Sequence, residues 1–196
     1  GEYRKLTGDK TETVHTEHGC TFKVDPTRVY YSERYSSERE RVISQIKPGE
    51  RVLVMFAGVG PFAVMAAKQR DPEEVVAVEK NPVAADYLEE NIEMNSVSDT
   101  VSSIKGDVRE VMEDLGEFDR IIMPLPGAAN RFLDLASEHL SSEGHIHYYR
   151  FVEGDYMEFI ETELEELGLD LDAGEAYNAG EKSPSEDRVC FNLARK

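Results

Sequence analysis

The sequence lacks the features that would place it in a membrane or outside the cell. No run of ~18 apolar residues occurs, so no membrane-spanning helix is expected. The first ten residues, GEYRKLTGDK, have no apolar signal-peptide core. Two cysteines, Cys20 and Cys190, are too few for a disulfide framework and suit a reducing cytoplasm, with a single bridge left open. There is no internal repeat, no low-complexity segment and no metal site to be expected. Positive charge is scarce: 22 Lys/Arg stand against 40 Asp/Glu, a net charge of −18.

Three explanations compete for that charge: a disordered acidic chain, a binder of cations or basic partners, or an enzyme from a salty cytoplasm. Disorder is excluded because 40% of the residues are apolar and fall in periodic blocks. High internal salt fits best, since the Debye length shrinks to ~3 Å at 1 M and self-repulsion becomes tolerable. The charge is also uneven. Residues 1–51 hold ten Lys/Arg and nine Asp/Glu, whereas residues 52–196 hold twelve and thirty-one. A polyanion is therefore expected to meet the N-terminal quarter, unless the difference is a chance fluctuation.

At 196 residues the chain fits one domain with a small appendage. TETVHTEHGCTFKVDP reads as a hairpin turning at His18-Gly19. Ser37 and Glu40 have capping-box spacing, so a helix is expected to begin there with Val42, Ile43 and Ile46 facing inward. KPGE is a turn. Strands and helices then alternate: RVLVMFA, a helix over 61–69, EVVAVE, a helix over 82–94, TVSSIKGD and FDRIIMPLP. A helix over 128–140, GHIHYYRFV, a helix over 154–167 and a last strand RVCFNLAR complete the chain. The alternation predicts an α/β fold, a doubly wound, mainly parallel sheet with helices on both faces, whose ligands sit at the carboxyl ends of the strands. The N-terminal β-rich part is read as residues 1–35 and the main domain as 36–196.

The glycine loop FAGVGPF follows the first strand of the alternating region. GVGPFA fits G-x-G-x-x-A, which keeps a nicotinamide dinucleotide open as the ligand. Gly58 and Gly60 allow a tight turn and close approach to a ligand, and Pro61 suits the first helical position. Glu79 ends the next strand, where an acid can accept both hydrogen bonds of a ribose diol. Asp107 ends the strand after that and could accept from an adenine amino group. The bland alternatives are a ligand-free turn and an ordinary turn aspartate. Two strand-end acids and a proline-rich fourth strand end look like an S-adenosylmethionine-dependent methyltransferase.

The resemblance then becomes specific. GEYR at 1–4, VHTEHGCTFKVD at 14–25, VYYSERYSSER at 29–39, MFAGVGPF at 55–62, EKNP at 79–82, GDVRE at 106–110, MPLP at 123–126 and GHIHYY at 144–149 resemble, in order, the archaeal and eukaryotic tRNA (guanine-N1)-methyltransferases. That family modifies the guanosine just 3′ of the anticodon. The resemblance implies a Rossmann-like methyltransferase domain, S-adenosylmethionine as cofactor, tRNA as partner and, with the acidic surface, a halophilic archaeal source. A monomer is expected. It also implies that a separate N-terminal tRNA-recognition domain precedes this chain. Glu38 matches the general base and Arg4 the arginine held against the guanine. Tyr30, Arg34 and Arg39 match positions lining the methionine moiety and the active site. Phe56, Ala57, Gly58, Gly60, Glu79, Asn81, Asp107 and Pro126 match cofactor contacts.

The chemistry is consistent with those roles. N1 of guanine must lose a proton to become a nucleophile, which a nearby carboxylate can accept. Negative charge then builds on O6, where an arginine stabilises it. Against this, Glu38 in a first helical turn could merely complement the helix dipole, which would also weaken it as a base. Two positions depart from the family: Val54 replaces an acid, and Pro124 replaces the asparagine of an Asn-Leu-Pro motif. The rivals are the sister branch that transfers an aminocarboxypropyl group, a catalytically silent adenosine- or tRNA-binding module, and an NAD oxidoreductase. Arg34 in SERY favours methyl transfer over the sister branch.

Overall fold

A computed structural model describes residues 11–196. Arg4 lies outside the described residues. The chain opens with the expected hairpin, β1 (Thr13–Glu17) and β2 (Cys20–Val24). His18 and Gly19, at φ 46° and 77°, form the tight turn between them. A single 3-10 turn over Glu33–Tyr35 leads into α1 (Ser36–Ile43). Here the capping-box expectation fails: Tyr35 is the N-cap, Ser37 lies inside the helix, and no side chain caps its start. The 3-10 turn pulls the helix start forward by wrapping into its first turn. The expected inward positions hold, since Val42, Ile43 and Ile46 are fully buried.

The alternation then runs β3 (Arg51–Met55), α2 (Pro61–Arg70), β4 (Glu74–Glu79), α3 (Pro82–Met94), β5 (Val101–Lys105), α4 (Val108–Val111) and β6 (Phe118–Met123). After it come α5 (Leu133–Glu138), β7 (Leu140–Val152), α6 (Tyr156–Leu167), β8 (Leu171–Ser183) and β9 (Glu186–Arg195). β6 stops at Met123 because Pro124 and Pro126 cannot donate to a ladder. The segment expected as a helix over 128–140 starts with a 3-10 turn over Ala129–Phe132. β8 was not legible as a strand: it is an edge strand, and only Leu171 and Ala179 of its thirteen residues are buried.

Seven strands form one sheet in the order β5-β4-β3-β6-β7-β9-β8. The first five are parallel and β9 runs antiparallel to both neighbours. The strands alternate between two buried faces. Val52, Val54, Val75 and Ala77 point to the side of α1–α3 and the hairpin, while Leu53, Met55, Val76 and Val78 point to the side of α4–α6. Cys20 and Cys190 are free thiols buried on the first face.

Asn91 of α3 and Asn95, which caps its C-terminal end, fasten the hairpin. Asn91 Oδ1 accepts from Lys23 N–H at 2.7 Å and Asn95 Oδ1 from Thr21 N–H at 2.9 Å. Asn91 Nδ2 also donates to the Val59 carbonyl at 2.9 Å, which links the hairpin to the glycine loop. Under the opposite end of the sheet, buried Arg120 donates to both oxygens of Glu50 and meets Nε2 of His147 at 2.9 Å. His147 Nδ1 lies 2.8 Å from Asn192 Oδ1, so this chain of polar groups joins β6, β7 and β9.

Candidate active site

The carboxyl ends of β3, β4, β5 and β6 open into a cleft of about 820 Å³, within the range of small-molecule sites. The glycine loop forms one wall. β3 leaves the sheet at Phe56, whose φ of 58° is strained for a bulky residue, and its ring packs edge-on against Phe132 at 4.9 Å. Gly58 and Gly60 follow at φ 59° and 90°. A Cβ on Gly60 would lie 2.5 Å from Leu88 Cδ1, so this glycine lets α3 pack against the loop. A Cβ on Gly58 would meet no atom and would project into open space beside the cleft, as a backbone that receives a ligand requires.

Glu79 ties the loop to α3. Its Oε2 accepts from Gly58 N–H at 2.7 Å and its Oε1 from Asn81 N–H at 2.7 Å. Asn81 in turn caps α3, its Oδ1 accepting from Val83 N–H at 3.0 Å. One acid thereby fixes both walls, with a lone pair on each oxygen still open to the cleft. Asp107, the N-cap of α4, is more fully engaged. Its oxygens accept from Lys80 Nζ at 2.8 Å, from Arg109 Nη2 at 2.8 Å and from the Arg109 Nε and backbone N–H at 3.1 Å each. Those bonds, from Arg109 first and then Lys80, hold its carboxyl far below the usual carboxylate range. The Asp107 carboxylate is a charge anchor whose acceptor sites are already taken.

Of the residues the sequence singled out, Tyr30, Phe56, Gly58, Glu79, Asn81, Asp107 and Pro126 line the cleft. Ala57 and Gly60 shape the loop from behind. Arg34 lines a neighbouring groove against the β8–β9 turn, which shares Tyr35 with the cleft. Arg39 differs from expectation. It is 4% exposed and donates from Nε and Nη2 to the two oxygens of Glu17 at 2.6 and 2.5 Å, and to the Ser32 carbonyl at 3.1 Å. Glu17, at the end of β1, captures it away from the cleft.

Glu38 lies behind the lining. Arg41 donates from Nε and Nη2 to its two oxygens at 2.7 and 2.8 Å, and the Tyr149 hydroxyl donates to Oε1 at 2.7 Å. Burial, together with the neighbouring Cys190 and Glu38, pushes the Tyr149 phenol well above its ordinary value, so it remains the donor. Arg131, Phe151 and Arg188 also line the cleft and lie outside every motif quoted from the sequence, while Lys80 and Arg109 lay inside EKNP and GDVRE without a role assigned to them. Tyr35 lay inside the SERY motif without a role assigned to it.

Residues 13–168 match the TRM5/TYW2 methyltransferase domain. The chain belongs to that family. It is 46% identical over 162 residues to the tRNA (guanine(37)-N(1))-methyltransferase Trm5b of Pyrococcus abyssi, covering 79% of this chain and 47% of that protein. It is 39% identical over 158 residues to the tRNA(Phe) (4-demethylwyosine(37)-C(7)) aminocarboxypropyltransferase of Methanocaldococcus jannaschii, covering 78% and 62%. The structure superposes on that of P. abyssi Trm5b with a TM-score of 0.85 over 99% of this chain and 60% of the other, at 36% identity. It superposes on M. jannaschii TYW2 in complex with AdoMet with a TM-score of 0.84 over 98% and 90%, at 32% identity. The chain thus spans about half to two thirds of the length of the curated relatives it matches. The fold expectation holds: a Rossmann-like methyltransferase sheet with a small hairpin.

Proposed function

We propose that the chain is the catalytic part of a tRNA methyltransferase that methylates N1 of the guanosine next to the anticodon, with S-adenosylmethionine as the donor. The observation that carries this reading is the open backbone of Gly58 held by Glu79 at the cleft. A nucleoside cofactor fits there, with Glu79 accepting from its ribose and Val78, Val108 and Phe132 giving apolar surface to its base. When bound, the cofactor supplies an electrophilic methyl group on a sulfonium. The protein's own task is then to hold the guanine and take its N1 proton.

Glu38 is the proposed base. Arg41 and the Tyr149 hydroxyl hold its carboxylate in place, and the carboxylate exchanges a donor for the guanine N1–H. Arg4 and Arg34 serve the base and the cofactor's amino-acid end in the same reading. Arg34 and the 46% identity to Trm5b favour methyl transfer over aminocarboxypropyl transfer. A monomer engaging the anticodon region is the proposed assembly.

Mass spectrometry of tRNA incubated with the full-length protein and S-adenosylmethionine tests the reaction: a methyl addition at N1 is expected, and an aminocarboxypropyl addition overturns it. Glu38→Gln should leave cofactor affinity intact and slow single-turnover transfer by ~10²–10⁴-fold. A rate within a few-fold of wild type would return Glu38 to a structural role.

A further inference from the structure

A single rung of the sheet grips Glu38 and its arginine together. Tyr149 of β7 pairs with Cys190 of β9, and Cys190 pairs with Tyr177 of β8. Directly opposed residues share a face of the sheet, and here it is the face on which α1 packs. The Glu38–Arg41 pair of α1 lies across this rung. The Tyr149 hydroxyl donates to Glu38 Oε1 at 2.7 Å, and the Tyr177 ring lies 3.8 Å from the Arg41 guanidinium. Cys190, small and fully buried, separates the two tyrosines. Burial, and then the charge of Glu38, push its thiol up to about 12, so it stays neutral and offers Arg41 no second anion. Arg188, two positions earlier on β9, lies 4.7 Å from the Tyr149 ring and lines the cleft, so the rung borders the cleft.

An exposed ion pair spaced i,i+3 on a helix is worth little. This one is largely covered: the Glu38 and Arg41 side chains are 9% and 23% exposed. Burying a pair costs desolvation that only good geometry and further hydrogen bonds recover. The carboxylate has them, with the two-donor fork of Arg41 and the Tyr149 hydroxyl. The arginine does not, because its Nη1 is buried without a partner among the described residues. Arg41 is therefore placed for the carboxylate rather than for its own donors. Stacking on Tyr177 holds the guanidinium in the plane that presents Nε and Nη2 to Glu38. On the proposed reading of Glu38 as the base, we infer that Arg41, steadied by the Tyr177 face of edge strand β8, is its positioning residue. The fork fixes the carboxylate beside the cleft, and the precision of that placement sets how often the guanine N1–H meets an acceptor. The edge strand thereby supports the chemistry without touching the substrate.

The test measures single-turnover methyl transfer to tRNA by the full-length protein, with the affinities for S-adenosylmethionine and tRNA alongside. Arg41→Met should slow transfer by roughly 10–100-fold, the scale of a misplacement of about 1 Å, with both affinities within a few-fold of wild type. In a Glu38→Gln background the same change should cost less than about two-fold, because Arg41 acts only through the carboxylate. Arg41→Lys, which keeps the charge but not the fork, should fall between wild type and Arg41→Met. Tyr177→Leu should slow transfer by about 3–10-fold, and Tyr177→Phe, which keeps the face, should restore it. Thermal melts show which variants fold, and half-buried Tyr177 decides the matter if Arg41→Met does not fold. Equal losses in the two Glu38 backgrounds, a loss confined to cofactor or tRNA affinity, or Tyr177→Phe as slow as Tyr177→Leu overturns the inference. So does faster transfer by Arg41→Met, which would make Arg41 a latch on the base. A slow Glu38→Gln beside an unaffected Arg41→Met refutes the positioning role alone. A Glu38→Gln rate near wild type refutes the base, and the positioning role falls with it.

Discussion

Replacing Arg39 by methionine separates the role the sequence suggested from the one the structure gives it. The change removes two donors to Glu17, one to the Ser32 carbonyl, and a cation–π contact 5.3 Å from the Tyr31 ring. It leaves the Glu17 side chain, 3% exposed, as a buried carboxylate without its main partner. Breaking a buried ion pair from one side costs about 3–5 kcal/mol. The Tyr31 hydroxyl still donates to Glu17 at 3.0 Å and His15 stays 3.8 Å away, so the lower end, about 3 kcal/mol, is expected. For a chain of this size that is a fall in Tm of about 6–12 °C. The double variant Glu17→Gln/Arg39→Met should recover much of the loss, because no buried charge is left uncompensated.

Acid titration gives an independent reading of the same pair. Burial alone pushes the Glu17 carboxyl up, but the hydrogen bonds and charge of Arg39 outweigh it, and the net shift is downward from 4.5. A depressed carboxyl contributes stability that is present above its unfolded value and lost as pH falls through the folded one. Wild type should therefore lose this contribution below about pH 4.5, and Arg39→Met should show a flatter acid limb. Calorimetry of S-adenosylmethionine binding completes the assay: unchanged affinity is expected. A melting temperature near wild type together with weakened cofactor binding would refute the structural account and return Arg39 to the active site.

Two further outcomes follow from the cleft and the charge. Glu79→Ala should weaken S-adenosylmethionine binding by roughly 1–3 kcal/mol by calorimetry, since Gly58 and Asn81 lose a charged acceptor; preferential binding of NAD would overturn the cofactor assignment. Stability and methyl transfer by the full-length protein should persist or rise from ~0.1 to ~3 M KCl, because screening relieves the repulsion of the −18 charge; a stability maximum at low salt with activity falling steadily would separate the acidic surface from a saline setting.

Much of the fold was legible because it rests on short-range signals. Continuous apolar runs bounded by glycine and proline gave β3, β4 and β6, as strands covered on both faces require, and Pro61 and Pro82 stand at the starts of α2 and α3. β8 escaped because an edge strand buries little and so carries little apolar alternation. The site was legible where backbone conformation dictates residue type, as at Gly58, or where an acid ends a strand, as at Glu79. It was not legible where long side chains choose among partners distant in sequence. Arg39 lies 22 positions from Glu17, and Glu38 lies 111 from Tyr149. Nothing local marks either choice, nor that the buried Nε of Arg188 has no hydrogen-bond partner among the described residues.

The same distinction bears on charge. Summed along the chain, residues 52–196 are strongly acidic, which directs a polyanion toward the N-terminal quarter. Yet Lys80, Arg109, Arg131 and Arg188, all from the acidic part, line the cleft, against the two acids Glu79 and Asp107. The Debye length is about 8 Å at physiological salt and ~3 Å at 1 M, so a group entering the cleft responds to these neighbours more than to carboxylates on distant helices. Salt that screens the acidic surface leaves partly buried Arg188 less affected than exposed charges. An acidic protein can therefore repel nucleic acid over most of its surface and still present a cationic lining at the cleft where, on the proposed function, a base is held.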